Sequence, residues 1–367
     1  MHVILTPHYP PRRYGGVEKV VQQLARGLRD AGEKVVVGAL SLEEPSAIDD
    51  DGGIPIVRVQ CNAATKEART ATILDSQDAL AEAVGPFLED EVIVHAHDWF
   101  VAPAAIALRD RHRARLVAFV HSVKRAEVDA LHERHRRIHD LQCLLVRQAD
   151  AVLAATAVSR RTIEAHLGIP QDRVTLLPLG IDENAGGPIA TGEKRILYLG
   201  RLQPEKGIDT LVEAFREAAV PDATLRVLGR GPILPAGPGI VLLPFTSDAA
   251  VIDEELRRAS VLVVPSRFEA AGMVVLEAMC RETPVIVSRC GGPDEIVRDG
   301  VTGRTFDPGD SAALARLLRL AFERWEETRA MAVAGRFDVE RRYRWSIAVD
   351  TLLEVTHPAT TSSSTPS

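Results

Sequence analysis

The stretch SVLVVPSRFEAAGMVVLEAMCRETPVIVS, residues 260–288, carries two carboxylates, Glu269 and Glu277, on either side of Gly272. It reads as a buried strand, a loop, a helix beginning near Gly272 and a second strand. Ligands of parallel α/β sheets sit beyond the carboxyl ends of the strands, so this loop belongs in a cleft. The free amides of Gly272, Met273 and Val274 at the helix start make an anion site that suits a diphosphate. Glu277, one turn into the helix, can accept both hydroxyls of a ribose, and Glu269 is left to face a sugar. A second stretch, LYLGRLQPEKGIDTLVEAF, puts Arg201 just after a strand ending at Gly200 and Lys206 just before a helix beginning near Gly207. These cations would neutralise a leaving diphosphate. No DxD-type metal motif stands at a suitable strand end, so such charges would supply what a divalent ion supplies elsewhere. Singly, each residue has an ordinary reading, a dipole-favoured glutamate or a solvated cation. Their combination argues for a nucleotide-sugar site.

The first half offers three further groups. Gly15 and Gly16 in PRRYGGVEKVVQQLARGL let a backbone turn approach a ligand before a helix begins. Asp98 follows the run EVIVHAH, and His121 closes RLVAFVH, so both fall at strand ends and face the same cleft. His121 could share in stabilising developing charge. His95 and His97 lie on one face of a strand, but no third metal ligand can be placed beside them. They read as packed, hydrogen-bonded side chains, and no metal site is assigned.

The positioning elements are two series of short apolar runs alternating with amphipathic stretches. HVILTP, KVVVGAL, IPIVRV, EVIVHAH, RLVAFVH, DAVLAAT and RVTLLPL predict one doubly wound parallel-sheet domain over residues 1–184. RILYLG, TLRVLG, GIVLLPF, SVLVVPS and TPVIVS predict a second over 185–345, after the turn-rich DENAGGPIATGE. A helical segment at 346–356 is available to pack back on the N-terminal domain, and the Ser/Thr/Pro-rich residues 357–367 read as a disordered tail. The net charge of -7 argues against a dedicated nucleic-acid binder. Cys61, Cys143, Cys280 and Cys290 show no metal-ligand spacing and read as free thiols. With no leader-like segment and no run of ~18 apolar residues, a cytoplasmic location is expected.

The Glu269–Glu277 stretch resembles the Glu-x7-Glu signature of glycosyltransferase family 4. The resemblance extends through LYLGRLQPEKGIDTLVEAF and GGPDEIVRDGVTGRTFDPGD over most of the C-terminal half. It implies the GT-B architecture and metal-independent transfer of a hexose or amino-hexose with retention. The donor would be a nucleoside-diphosphate sugar, UDP-sugar favoured and GDP-sugar next, and the acceptor a hydroxyl of a small molecule, glycan or lipid-linked compound. In the family's pattern Arg201 and Lys206 bind the diphosphate, Glu269 contacts the donor sugar near the reacting carbon, and Glu277 holds the ribose. Gly15 and Gly16 match its N-terminal glycine loop, and Asp98 and His121 match groups that contact sugar hydroxyls. RVTLLPLGID matches a segment in which the family's usual asparagine is replaced by Leu179.

Residues 109–147 hold ten Lys/Arg against five Asp/Glu. The bland reading of the basic 124–147 helix is a solvated face; the sharper ones are contact with an anionic acceptor or with acidic lipid headgroups, a peripheral membrane contact. Two competing classes stand beside the transferase: a sugar-nucleotide epimerase of the same architecture and a silent nucleotide-sugar binding protein.

Overall fold

The computed structural model describes residues 1–11, 15–41, 45–61, 68–127, 132–182, 184–190, 192–232 and 235–357. The first sheet contains β1 (His2–Thr6), β2 (Val35–Ser41), β3 (Ala47–Asp50), β4 (Pro55–Gln60), β5 (Ile93–His97), β6 (Arg115–Phe119), β7 (Ala151–Ala154) and β8 (Val174–Leu176). Their order is β3-β4-β2-β1-β5-β6-β7-β8. The second sheet contains β9 (Lys194–Leu199), β10 (Ala223–Leu228), β11 (Ile240–Leu243), β12 (Val261–Val264), β13 (Val285–Ser288) and β14 (Arg304–Phe306). Its order is β11-β10-β9-β12-β13-β14. Both orders reverse beside the first strand of their sheet, which opens a crevice at the strand carboxyl ends where a ligand can enter. The two doubly wound domains are those the apolar runs predict.

Two strands carry no such run. β3 is the one antiparallel addition among the described residues, and its AIDD sequence is exposed along its whole length. β14 is only the three residues Arg304–Phe306 beside β13. Cross-strand pairing, rather than apolar periodicity, makes these segments strands.

The first helix, Val17–Asp30, buries Val20, Val21, Leu24, Ala25 and Leu28 against β1 and β2. Glu18 in its first turn and Arg29 in its last complement the helix dipole. The loop before this helix is anchored by Asp51, which accepts hydrogen bonds from Tyr9 Oη at 2.6 Å, Arg26 Nη2 at 2.6 Å and Gln22 Nε2 at 3.2 Å. Burial would raise the Asp51 carboxyl, but these donors hold it down at about 2.

The last helix, Trp345–Thr356, crosses back to pack on Val17–Asp30. Val349 Cγ2 fills the space beside Gly27, and Ile181 N–H donates to Tyr343 O at 3.0 Å. His357 N–H closes the helix on Leu353 O at 2.8 Å; residues 358–367 lie outside the described ones. One apolar cluster consequently runs from Ile4 and Leu24 through Leu177, Leu179 and Ile181 to Leu262, Val275 and Leu276. Leu179 is buried in it, so an apolar contact stands where the family's asparagine would be.

Gly180 packs against Trp345 so closely that an added Cβ would lie 2.3 Å from Trp345 Cδ2 and 2.5 Å from its backbone nitrogen. Gly180→Ala is expected to cost about 1–3 kcal/mol by overpacking, read as a lower urea midpoint at unchanged slope. A wild-type midpoint would mean that the final helix shifts without penalty.

Candidate active site

The loop between β12 and the helix Met273–Met279 carries Glu269 at the carboxyl end of the sheet. Its backbone is supported from below: Gly292 N–H donates to Glu269 O at 2.9 Å, and a Cβ on Gly291, whose φ is 61°, would lie 1.9 Å from the same carbonyl. Only glycine fits there. A comparable restriction holds the neighbouring loop, since Gly207 has φ 65° and its missing Cβ would lie 2.0 Å from Pro265 O. Gly207 caps the helix Ile208–Ala218, and Lys206, just before it, reaches Glu269. Lys206 Nζ and Glu269 Oε2 stand 2.6 Å apart, with most of both side chains covered. Burial alone would raise the Glu269 carboxyl; the Lys206 charge and hydrogen bond, with the amides of Gly272 and Ala271, hold it below its ordinary range.

The Gly272 amide therefore already faces a carboxylate, while the start of Met273–Met279 has no side-chain cap. Met273 and Val274 are partly buried at this start and pack on the cluster that spans the domains. Arg201 pairs loosely with Glu205 at 3.4 Å and remains 53% exposed, free to reach a ligand.

Across the cleft, Gly15 N–H donates to Glu18 Oε2 at 3.2 Å, and Gly16 caps Val17–Asp30. A Cβ on Gly16 would lie 3.2 Å from Met273 Cγ, so the glycine turn and the second domain's helix start are in contact. Arg12, Arg13 and Tyr14 lie outside the described residues. The same first helix contributes Lys19, whose Nζ meets Glu277 Oε1 at 2.8 Å. The sequence reading missed Lys19; its only signal was its place one turn beyond the glycines.

Asp98 and His121 occupy adjoining strand ends, after β5 and β6. Asp98 is held at φ 70°, a strained conformation for a residue with a side chain, and accepts from Trp99 N–H at 2.9 Å and Gln142 Nε2 at 3.3 Å. Gln142 also donates to Ser122 O at 2.6 Å and accepts from Lys124 N–H at 3.0 Å, which fixes the backbone after His121. Burial pushes Asp98 up to about 7, against the opposing pull of Trp99 and Gln142. His121 stacks on Phe119 and bonds His97 through Nε2 at 2.9 Å. Burial lowers it to about 3. It is a neutral imidazole, which acts on a ligand through a hydrogen bond rather than a full charge. His95 similarly bonds His2, at 2.8 Å.

Gln142 lies on the inner face of the basic helix Glu133–Gln148, where Ile138 and Leu145 are also buried. Arg136 and Arg137 are exposed; Val128, Leu131 and the side chain of Arg134 fall outside the described residues. The four cysteines form no disulfide. Among the described residues no helix is long and apolar enough to cross a membrane.

Lys206 and Glu269 are thus brought together in the second domain and Lys19 and Glu277 across the two, while Asp98 and His121 stand at strand ends of the first; two Rossmann-like sheets are the arrangement of a GT-B glycosyltransferase. Residues 14–185 match the model of Glycosyltransferase Family 4, and residues 182–337 that of Glycosyl transferases group 1. The chain is 28% identical to glycogen synthase of Mycobacterium tuberculosis over 397 aligned residues, which cover 95% of it and 92% of that protein. Sucrose-phosphate synthase from Thermosynechococcus elongatus shares the fold at TM-score 0.83 and 21% identity, covering 95% of this chain and 96% of that one. Anabaena HepE in complex with UDP and glucose follows at TM-score 0.75 and 18% identity, covering 97% and 99%. The chain belongs to glycosyltransferase family 4, the group 1 glycosyltransferases, and is a glycosyltransferase.

Asp98 makes the site's pH signature. Between 3.8 and about 7 the unfolded chain has released a proton that the folded carboxyl keeps, so stability falls as pH climbs through that window. Asp98→Asn lacks this loss. Its Tm relative to wild type is expected to increase from pH 4 to pH 7 and level off above; a difference independent of pH would mean that the carboxyl ionises at its ordinary value.

Proposed function

We propose that this enzyme is a cytoplasmic, retaining and metal-independent glycosyltransferase that moves a hexose or amino-hexose from a UDP-sugar, or next a GDP-sugar, to an acceptor hydroxyl. The observation that carries the reading is the largely covered Lys206–Glu269 pair together with the Lys19–Glu277 pair that joins the two domains. Arg201 and Lys206 bind the diphosphate, with the glycine turn at Gly15 and Gly16 and the amides of Met273 and Val274 facing it. Charge-assisted hydrogen bonds of this kind stabilise the leaving group in place of a metal. Glu277 accepts the ribose hydroxyls, and Glu269 orients the donor sugar. Asp98 and neutral His121 hold sugar hydroxyls from the other domain.

The acceptor oxygen attacks on the face from which the nucleotide leaves. The anomeric carbon–oxygen bond to phosphate breaks, the new bond forms with the original configuration, and the departing phosphate takes the acceptor proton. The UDP preference draws support from HepE, whose structure of the same fold holds UDP and glucose. Base selection lies where Arg230 stacks over Phe245, 4.8 Å from the ring centre, at the exposed edge of the second sheet. The acceptor is a small molecule, glycan or lipid-linked compound; exposed Arg136 and Arg137 suit an anionic one or acidic headgroups beside it.

Thermal-shift measurements against UDP-, GDP-, ADP- and dTDP-sugars are expected to give the largest rise with a UDP-sugar. No rise with any of them would remove the donor site. Glu269→Ala should abolish transfer in a folded chain, whereas epimerised product from nucleotide sugar alone would contradict transferase chemistry. Lys206→Ala should weaken nucleotide binding by ~1.5–3 kcal/mol in calorimetry, the range of a charge-assisted hydrogen bond. Unchanged affinity would contradict its assignment.

A further inference from the structure

At the end of β1 opposite the cleft, three groups from distant parts of the chain meet: His2, Glu33 after the first helix, and His357 at the end of the last. Their ligand atoms all lie within 4.8 Å of one another. His2 Nε2 stands 3.2 Å from Glu33 Oε2, and His357 Nε2 stands 3.5 Å from Glu33 Oε1. Donors around a tetrahedral zinc ion, at bonds of about 2.0–2.1 Å, are separated by about 3.3–3.4 Å. The His2–Glu33 spacing is close to that value, and His357 approaches the other oxygen of the same carboxylate.

The state of His2 makes the point stronger. It is fully buried, its Nδ1 is engaged with His95 Nε2 at 2.8 Å, and its Nε2 has no hydrogen-bond partner although a carboxylate oxygen is 3.2 Å away. A proton on Nε2 would not be aimed at Glu33. With the proton on Nδ1, donated to His95, Nε2 is left as a lone pair beside the carboxylate with no donor between them, an arrangement that a cation shared by the two acceptors resolves. Histidine ligands are oriented in this way, by a hydrogen bond from the other ring nitrogen.

We propose that His2, Glu33 and His357 form a zinc site, with solvent as the fourth ligand, that fastens the final helix to the N-terminal domain. Two imidazoles and one carboxylate are a ligand set suited to zinc. His357 is the last described residue, so the ion would clamp the end of Trp345–Thr356 against the base of β1. The site is at the far end of β1 from the glycine turn, and it serves attachment, not transfer.

The test uses the untagged full-length chain, stripped with EDTA and titrated with zinc chloride in a calorimeter. One zinc per chain is expected, with a rise in Tm. Replacing zinc by Co2+ should give the intense visible absorption of a four-coordinate site. His357→Ala and Glu33→Gln, both at solvent-accessible positions and compatible with folding, should each lower zinc affinity roughly tenfold or more, abolish the Tm rise and leave transfer unchanged. Absence of saturable one-to-one binding in the wild type would overturn the proposal. So would wild-type affinity in both variants, which would put the zinc elsewhere. Neither result bears on the donor-site assignment, which is read by nucleotide affinity.

Discussion

The carbonyl of Ala270 is where the two sheets are registered against one another. Thr156 Oγ1 and Ser159 Oγ, from the first domain, donate to it at 2.9 and 3.2 Å. The next turn of the second domain returns the contact: the Glu295 carboxylate accepts from the amides of Ala157 and Val158 at 2.9 and 2.5 Å. A carboxylate at the start of the helix Ala157–Leu167 satisfies amides that have no partner within the helix and meets the positive end of its dipole. Ala270 is the residue after Glu269, so this seam, with Gly291 and Gly292 below it, fixes the loop that carries Glu269. Without it, the strand-end groups of one sheet would have no defined partner in the other.

Within that frame the cations are arranged in pairs. Lys206 rests on Glu269, Lys19 on Glu277 and Arg201 on Glu205. The first two are mostly covered, where an unpaired charge would be costly, so each carboxylate keeps its cation in place before a ligand arrives. On the proposed reading, a diphosphate exchanges one anionic partner of Lys206 for another and gains from exposed Arg201 at little desolvation cost. Ribose hydroxyls at Glu277 must share that carboxylate with Lys19, so donor binding would be coupled to the contact between the domains.

The sequence made legible what depends on local composition. Apolar runs marked the buried parallel strands, and Glu269, Gly272, Lys206 and Gly207 sat in stretches whose order alone located a strand-end site. What it concealed depends on contacts made at long range. Lys19 looked like any exposed helical lysine until Glu277 was placed opposite it, 258 positions away. Gln142 was hidden in a helix notable for its arginines, although it is the residue that holds Asp98. Gly291 and Gly292 carry no local sign of their role, which is to lie under another loop. β3 and β14 escaped because an edge strand needs only a neighbour to pair with, not an apolar face.

The histidines show how far a shared local pattern can diverge. His95 and His97 are two residues apart on β5 and project from the same face, and each is buried, bonded to another imidazole and held well below the ordinary histidine range by that burial. A neutral imidazole pair transmits a tautomer: the nitrogen protonated on one ring decides which nitrogen of the next is left as an acceptor. At the cleft end, the outer member of the pair is His121, whose neighbours are groups suited to hydroxyls. At the base, the outer member is His2, and beyond it stands the Glu33 carboxylate. The same alternation along one strand therefore ends beside hydrogen-bonding groups at one end and beside a carboxylate at the other. The surroundings of each end come from parts of the chain far from β5 in sequence, Gln142 at one and His357 at the other.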